Sequence, residues 1–198
     1  ELWRDCGISL EGPAASIFAT AFRRSWLYVA HGGPFSRALT SYNLDGSQGD
    51  IGLLASVPSM GSQMSRLLER LVHEARKSID LTMAYFAPAD EMVSLLCNAT
   101  KKGVRVRLML PSMTDVPLMI SAARSFYEQM LAAGITIYER QHVTLHAKTM
   151  VIDRRVSVLG SANFDHRSID YNCELSAIIR SEEFGEQMEK LFEHDVMF

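Results

Sequence analysis

His146, Lys148, Asp153, Gly160, Ser161 and Asn163 fall in the pattern H-x-K-x4-D-x6-G-S-x-N. Their types suit cleavage of a phosphodiester without a metal. An imidazole titrates near neutrality and can act as nucleophile or as general acid/base. An ammonium brings charge to a phosphate, and a hydroxyl and an amide donate hydrogen bonds to its oxygens. On a strand, side chains two apart lie on one face, roughly 6 to 7 Å apart. His146 and Lys148 are therefore expected to point the same way. Ser161 and Asn163 have the same relation, and Gly160 permits close backbone approach beside them. Glu174 is a carboxylate able to orient the imidazole and fix its tautomer, as a triad acid does. Asp153 completes the pattern and is counted in the catalytic set. It lies five residues beyond Lys148 and need not share that face, so its spacing favours holding the hairpin turn or a neighbouring polar group. The pattern occurs once. Such chemistry ordinarily uses two histidines, so the residues imply an activity and a missing half.

A scaffold must bring these side chains together, and the chain alternates strands with helices. Residues 6–10 read as a short strand. Gly12-Pro13 starts a helix through about Val29, with Phe18, Phe22 and Trp26 on its apolar face. Residues 31–50, rich in Gly, Ser, Asn and Asp, read as a linker. A strand follows at 51–57, then an amphipathic helix at 59–77 and a strand at 79–85. Pro88 starts a helix that Gly103 ends. Residues 104–110 alternate Val and Leu with Arg105 and Arg107, giving an apolar and a basic face. Asp115 is expected to cap a helix running to Ala133, with Gly134 terminating it. A strand at 135–138 precedes a hairpin of 143–152 and 156–159 around Asp153-Arg154-Arg155. The last strand is 172–179, and Ser181 caps the final helix. The expected class is α/β: a central sheet covered by helices on both faces, mixed because of the hairpin.

A faint repeat runs through this order. Asp5 precedes Gly12 by seven residues, before a helix carrying Phe22 and Trp26; Glu174 precedes Ser181 by seven, before a helix carrying Leu191 and Phe192. On this reading residues 1–30 are the tail of a first half-domain, 31–50 the linker, and 51–198 a complete second half-domain. The 198 residues fit one compact domain with a short extra piece. A net charge of −3 and a pI of about 6.1 argue against a dedicated nucleic-acid binder. Cys6, Cys97 and Cys173 lack zinc spacing and read as free thiols. No apolar run reaches the roughly 18 residues of a membrane span. The chain opens at Glu1-Leu2-Trp3 and is expected to be a piece of a longer protein.

The segment from His146 to Asn163 resembles the signature of the phospholipase D superfamily. Tyr85-Phe86-Ala87-Pro88, Met109-Leu110-Pro111, Asp115-Val116-Pro117, residues 134–138 and Ser161-Ala162-Asn163-Phe164-Asp165-His166-Arg167-Ser168 resemble its bacterial cardiolipin synthase branch. Trp3-Arg4-Asp5 with Gly12-Pro13 is similar to the stretch just after the first signature in that branch. The resemblance implies a phospholipase D-like half-domain. It implies two signatures meeting at a pseudo-twofold axis, from two half-domains or two copies. One histidine becomes phosphorylated and the other protonates the leaving group, with no metal or other cofactor. By analogy the first motif supplies the nucleophile and His146 the general acid/base. The implied substrate is phosphatidylglycerol at a membrane surface, and the implied location of the whole protein is the cytoplasmic membrane. The membrane anchor of many such enzymes is not in this sequence, so the chain by itself is expected to be soluble.

Three function classes stay open on these residues. The first is a phosphatidyltransferase making cardiolipin. The second is a hydrolase or nuclease of the same superfamily, for which the acceptor is water. The third is a silent half that serves only for docking, against which the complete residue set argues. Asp5 is either a turn cap or a supporting acid that depends on the partner half. His166 lines the site or bonds its own loop. Arg167 binds a second phosphate or pairs with Asp165 or Asp170. Arg105 and Arg107 form a solvated strand face or a substrate-facing edge. Met109, Met113, Met119 and Met130 are core or an acyl-chain surface. His31, His73, His142 and His194 read as structural or surface residues.

Overall fold

The computed structural model describes residues 2–30, 50–56, 63–165, 168 and 172–198. The expected linker through 49, His31, the helix start near 59, His166, Arg167 and Asp170 lie outside the described residues. The centre is a seven-stranded mixed sheet. Its strands are β2 (Ile51–Ser56), β3 (Ser78–Thr82), β5 (Arg105–Pro111), β6 (Thr136–Arg140), β8 (Thr149–Ile152), β9 (Val156–Gly160) and β11 (Glu174–Arg180). They run in the order β2-β11-β9-β8-β3-β5-β6. The β3, β5 and β6 strands are parallel, while β8, β9, β11 and β2 are joined antiparallel. Two small parallel pairs stand beside this sheet. β1 (Trp3–Arg4) pairs with β7 (Thr144–Leu145), and β4 (Phe86–Ala87) pairs with β10 (Phe164–Asp165).

Strand alternation decides which layer covers which face. Ile79, Leu81, Val106, Leu108, Leu110, Met150 and Ile152 face one side and pack against four helices. These are α2 (Gln63–Glu74), α3 (Asp90–Lys101), α4 (Pro117–Arg124) and α5 (Tyr127–Ala132). The other face carries Asp80, Arg105, Arg107 and Met109, and α6 (Glu182–Val196) lies across it. Residues 6–18 join that second layer, where Cys6, Ile8 and Phe18 pack on Leu159, Ala177 and Ile179. The expected α/β class, with helices on both faces of a mixed sheet, is the observed one.

Several local expectations change. Residues 6–10 form no strand; the ladder sits earlier, at Trp3–Arg4, because Thr144–Leu145 is available to pair there. The following helix is α1 (Ala15–Ala30), and its apolar face is buried only in part: Phe18 packs on the core, but Phe22 is 67 % and Trp26 65 % exposed, with their rings stacked at 6.2 Å. Asp115 caps no helix. Val116 occupies the cap position without a side-chain bond, Pro117 opens α4, and the expected single helix divides at 125–126. Of the two arginines read as a solvated face or a substrate edge, Arg105 stays exposed to solvent and Arg107 is drawn in. Arg107 chelates Asp80 at 2.6 and 2.8 Å and lies over Phe192, while Arg105 bonds Glu189 at 2.7 Å, all beneath α6. Met109 and Met130 are core, Met119 is half-buried and Met113 is exposed. The three cysteines are free thiols.

α6 approaches the hairpin turn through Gly185. An ideal Cβ there falls 2.0 Å from the Arg154 carbonyl oxygen and 2.4 Å from its carbon. Alanine gains about 1 kcal/mol of helix propensity, but rigid backbone blocks it. Gly185→Ala is therefore expected to lower stability in urea unfolding by about 1–3 kcal/mol. A rise in stability would show that α6 can slide away from the turn.

Candidate active site

The motif does not sit on one continuous strand. Between β7 and β8 the chain leaves the ladder at 146–148. The backbone N–H groups of His146 and Ala147 donate instead to the Arg4 carbonyl, at 2.8 and 3.2 Å. His146 and Lys148 still face one side, and line a cleft of about 400 Å³ with Asp5, Gly160, Ser161 and Asn163. Gly160 is required where β9 meets β11: a Cβ there would fall 2.2 Å from the Leu175 carbonyl oxygen. That close approach delivers Ser161 and Asn163 to the rim. The buried, stacked rings of Phe164 and Phe86 tie the next residues to β4, so the Tyr85 N–H donates to Asn163 Oδ1 at 3.1 Å. With its oxygen occupied, the Asn163 amide nitrogen is left to donate into the cleft.

The carboxylate on the imidazole is Asp5, not Glu174. Asp5 Oδ2 lies 2.8 Å from His146 Nδ1, which leaves Nε2 as the ring's second functional nitrogen. Trp3 packs edge-on against the same ring at 5.1 Å. Burial raises the Asp5 carboxyl's pKa, but the His146 bond, the Cys6 N–H and the nearby positive charges outweigh it, and the value ends below the ordinary range. The pair therefore stays intact at neutral pH and is lost only as the pH falls through that lowered value. Glu174 accepts from Ser161 Oγ and from Asn172 Nδ2, the latter at 3.0 Å. Asp5 lines the cleft itself, whereas Glu174 acts one step back, on Ser161, which does.

Lys148 is buried and donates from Nζ to the His146 carbonyl. Burial pushes its pKa below the ordinary value, offset in part by Asp5, Glu174, Asp165 and Asp115. Asp153 is not brought to the cleft. It sits at the far end of β8 in a left-handed conformation (φ 54°), and its carboxylate accepts from the backbone N–H groups of Arg76, Lys77 and Ser78 at 2.6–3.1 Å. The catalytic role expected for Asp153 is replaced by a clamp between the hairpin turn and the start of β3.

Residues with no motif spacing complete the site. Arg4, beside Asp5, chelates Asp195 on α6 with Nε and Nη2 at 2.9 and 2.7 Å, and Asp195 is only 4 % exposed. The same residue thus holds the His146 loop through its carbonyl and α6 through its side chain. Asp195 lies 191 residues after Arg4, and no local pattern could have connected them. Among the described residues no cluster of His, Cys, Asp and Glu is arranged to hold a metal ion.

Fold and site together define a phospholipase D-type α/β domain. Solved structures agree on the fold: a phospholipase D family member, Nuc from Salmonella typhimurium, superposes with a TM-score of 0.60 at 20 % identity, over 72 % of this chain and 93 % of that one. Phosphatidylserine synthase from Haemophilus influenzae gives 0.59 at 18 % identity, over 74 % of this chain and 38 % of that one. Within that class, the family described as "Cardiolipin synthase, PLD-like domain" matches residues 68–196, and the chain belongs to it. Probable cardiolipin synthase YwiE of Bacillus subtilis is 32 % identical over 195 residues, 98 % of this chain and 39 % of the relative. Cardiolipin synthase A of Wigglesworthia glossinidia brevipalpis is 28 % identical over 194 residues, 96 % of this chain and 39 % of the relative. The chain thus spans about two fifths of the length of these relatives.

Truncating one partner of a buried ion pair costs about 3–5 kcal/mol. Asp195→Ala is expected to lower stability by that amount and to broaden the ring N–H proton resonance of His146. Asp5→Asn should move the same resonance while changing stability by less than about 1 kcal/mol. Proton NMR with urea unfolding checks both, and a resonance indifferent to both substitutions would refute the Arg4–Asp5–His146 linkage.

Proposed function

We propose that this chain carries one catalytic motif of a phosphatidyltransferase that joins two phosphatidylglycerol molecules into cardiolipin through a phosphohistidine. The reading rests on one arrangement: His146, bonded to Asp5 through Nδ1, lines the cleft beside Lys148, Ser161 and Asn163. Asp5 fixes the tautomer, so Nε2 is the nitrogen that exchanges a proton or bonds phosphorus. Lys148 offsets the phosphate's charge, and the Asn163 amide donates to a phosphoryl oxygen. Ser161 Oγ, held by Glu174 and by the Leu175 N–H, positions the rim and adds a polar contact.

In the complete site a second histidine faces His146. The histidine of the other motif attacks phosphorus, and His146 protonates the departing glycerol oxygen. His146 then takes the proton of the second lipid's hydroxyl as that oxygen attacks, and the nucleophilic histidine is released. The partner is another half-domain of the same protein or a second copy of this chain. On this reading residues 1–30 are the tail of the first half-domain, 31–50 the linker and 51–198 the second half-domain. Support comes from residues 2–18, which dock on the sheet and deliver Asp5 to His146. The exposed Phe22–Trp26 face offers apolar surface for a further domain to cover. The whole protein acts at the cytoplasmic membrane; among the described residues no helix is long and apolar enough to cross one. A nuclease reading is disfavoured by the acidic pI and by Asp5 and Glu174 around Lys148.

The test uses the longer natural protein with phosphatidylglycerol in mixed micelles, products identified by mass spectrometry and His146→Ala as control. Cardiolipin plus free glycerol, reduced at least about a thousandfold in the control, is the expected result. Phosphatidic acid alone would make water the acceptor, and no lipid product would exclude phosphatidyl transfer. The 198-residue chain alone is expected to be inactive as a monomer; turnover near that of the longer protein would contradict the two-motif site.

A further inference from the structure

Asp115 has no part in the motif and caps no helix, yet it is firmly held. Its Oδ1 accepts from the Tyr85 hydroxyl at 2.6 Å and from Thr114 Oγ1 at 2.9 Å. Tyr85 in turn donates its backbone N–H to Asn163 Oδ1 at 3.1 Å. A continuous set of contacts therefore runs from Asn163, in the cleft wall, through Tyr85 to Asp115. Asn163 lines the cleft, and the Tyr85 side chain ties Asp115 to it from outside the lining, where the Asp115 charge still acts on His146 and Lys148. For holding an anion it has the wrong sign.

Its surroundings indicate a different ligand. The Tyr85 and Thr114 hydroxyls favour the ionised form and hold its pKa below the ordinary carboxylate range. Both side-chain bonds fall on Oδ1, the residue's own backbone N–H adds a further one to the carboxylate, and the side chain is exposed. An ionised, solvent-facing carboxylate still accepts from a further hydroxyl. The flanking side chains are apolar and open to solvent: Met113 and Val116, and Leu118 at 74 % exposure. An acceptor carboxylate in a segment that exposes apolar side chains at 113, 116 and 118 matches a hydroxyl carried by an amphiphile better than water or a sugar in a polar polymer.

We propose that Asp115, oriented by Tyr85, is a specificity-determining residue that binds a headgroup hydroxyl of the incoming lipid alcohol and so favours transfer to lipid over transfer to water. The inference rests on the phosphatidyl-transfer reading above. In the transfer step the acceptor's terminal hydroxyl oxygen forms the new P–O bond. The P–N bond to the nucleophilic histidine breaks, its electron pair returns to the ring nitrogen, and the hydroxyl proton passes to the other histidine. Asp115 takes no covalent part; it accepts from the acceptor's second hydroxyl and holds the first in line. Water offers no second hydroxyl and gains nothing from it.

The experiment measures cardiolipin against phosphatidic acid formed from phosphatidylglycerol vesicles by the longer natural protein, unsubstituted and as Asp115→Ala and Tyr85→Phe. Both products come from one phosphoenzyme, so their ratio does not depend on how much protein is folded. Loss of one hydrogen bond to a charged group predicts a fall of about tenfold in the ratio for Asp115→Ala. Tyr85→Phe, which keeps the carboxylate and removes its anchor, should shift the ratio in the same direction by less. An unchanged ratio in Asp115→Ala overturns the proposal; if that variant makes neither product, an unchanged ratio in Tyr85→Phe overturns it. Absence of both products from the unsubstituted protein would instead remove the phosphatidyl-transfer reading beneath it.

Discussion

The part-buried bond between Arg4 and Asp195 joins β1 to α6 across 191 residues of sequence. Asp195 lies in the last turn of α6, and Arg4 lies in a strand only two residues long. A two-residue ladder has little stability of its own. What fixes it is the bidentate guanidinium–carboxylate pair, which fits planar forks and excludes other orientations. Once Arg4 is fixed, its carbonyl holds the N–H groups of His146 and Ala147, and the next residue brings a carboxylate to the imidazole. Such a pair is costly to desolvate and contributes less to stability than its geometry suggests. Its value here lies in position: it determines where the His146 ring stands.

The H-x-K-x4-D pattern divides between two duties at opposite ends of β8. At one end His146 and Lys148 leave the ladder and face the cleft. At the other, Asp153 gathers three consecutive backbone N–H groups at the start of β3. A carboxylate that satisfies otherwise unpaired donors in a turn stabilises both the turn and the strand it meets. The tight spacing of the pattern thus reflects the length of one short strand with the cleft at its head and a clamp at its foot.

The layered α/β architecture was legible in the sequence because strand alternation and helix stops are local signals. The 104–110 alternation correctly marked two faces, but it could not show that α6 carries Glu189 and Glu193 to neutralise the basic one. The same limit explains Asp115: its type and place before Pro117 suit a cap, and only the approach of Tyr85 draws it away. Within the cleft, His146, Lys148, Gly160, Ser161 and Asn163 were legible as a group because one hairpin carries them all. The carboxylate assignment was not. Glu174 is near in sequence and Asp5 is 141 residues away, and proximity in sequence favoured the wrong partner for the ring. Arg4 and Asp195 left no local signal, since neither has a periodic or spaced companion.

Trp3 is one of two tryptophans in the chain, and its indole rests against the His146 ring. A protonated imidazole in contact with an indole quenches its emission, whereas the neutral ring does so far less. The His146 ring therefore carries an optical reporter of its own, placed there by the strand that delivers Asp5. The other indole, Trp26, sits in solvent on α1 and provides an internal reference. The fold thus allows changes at the His146 ring to be followed in light, in the unlabelled protein.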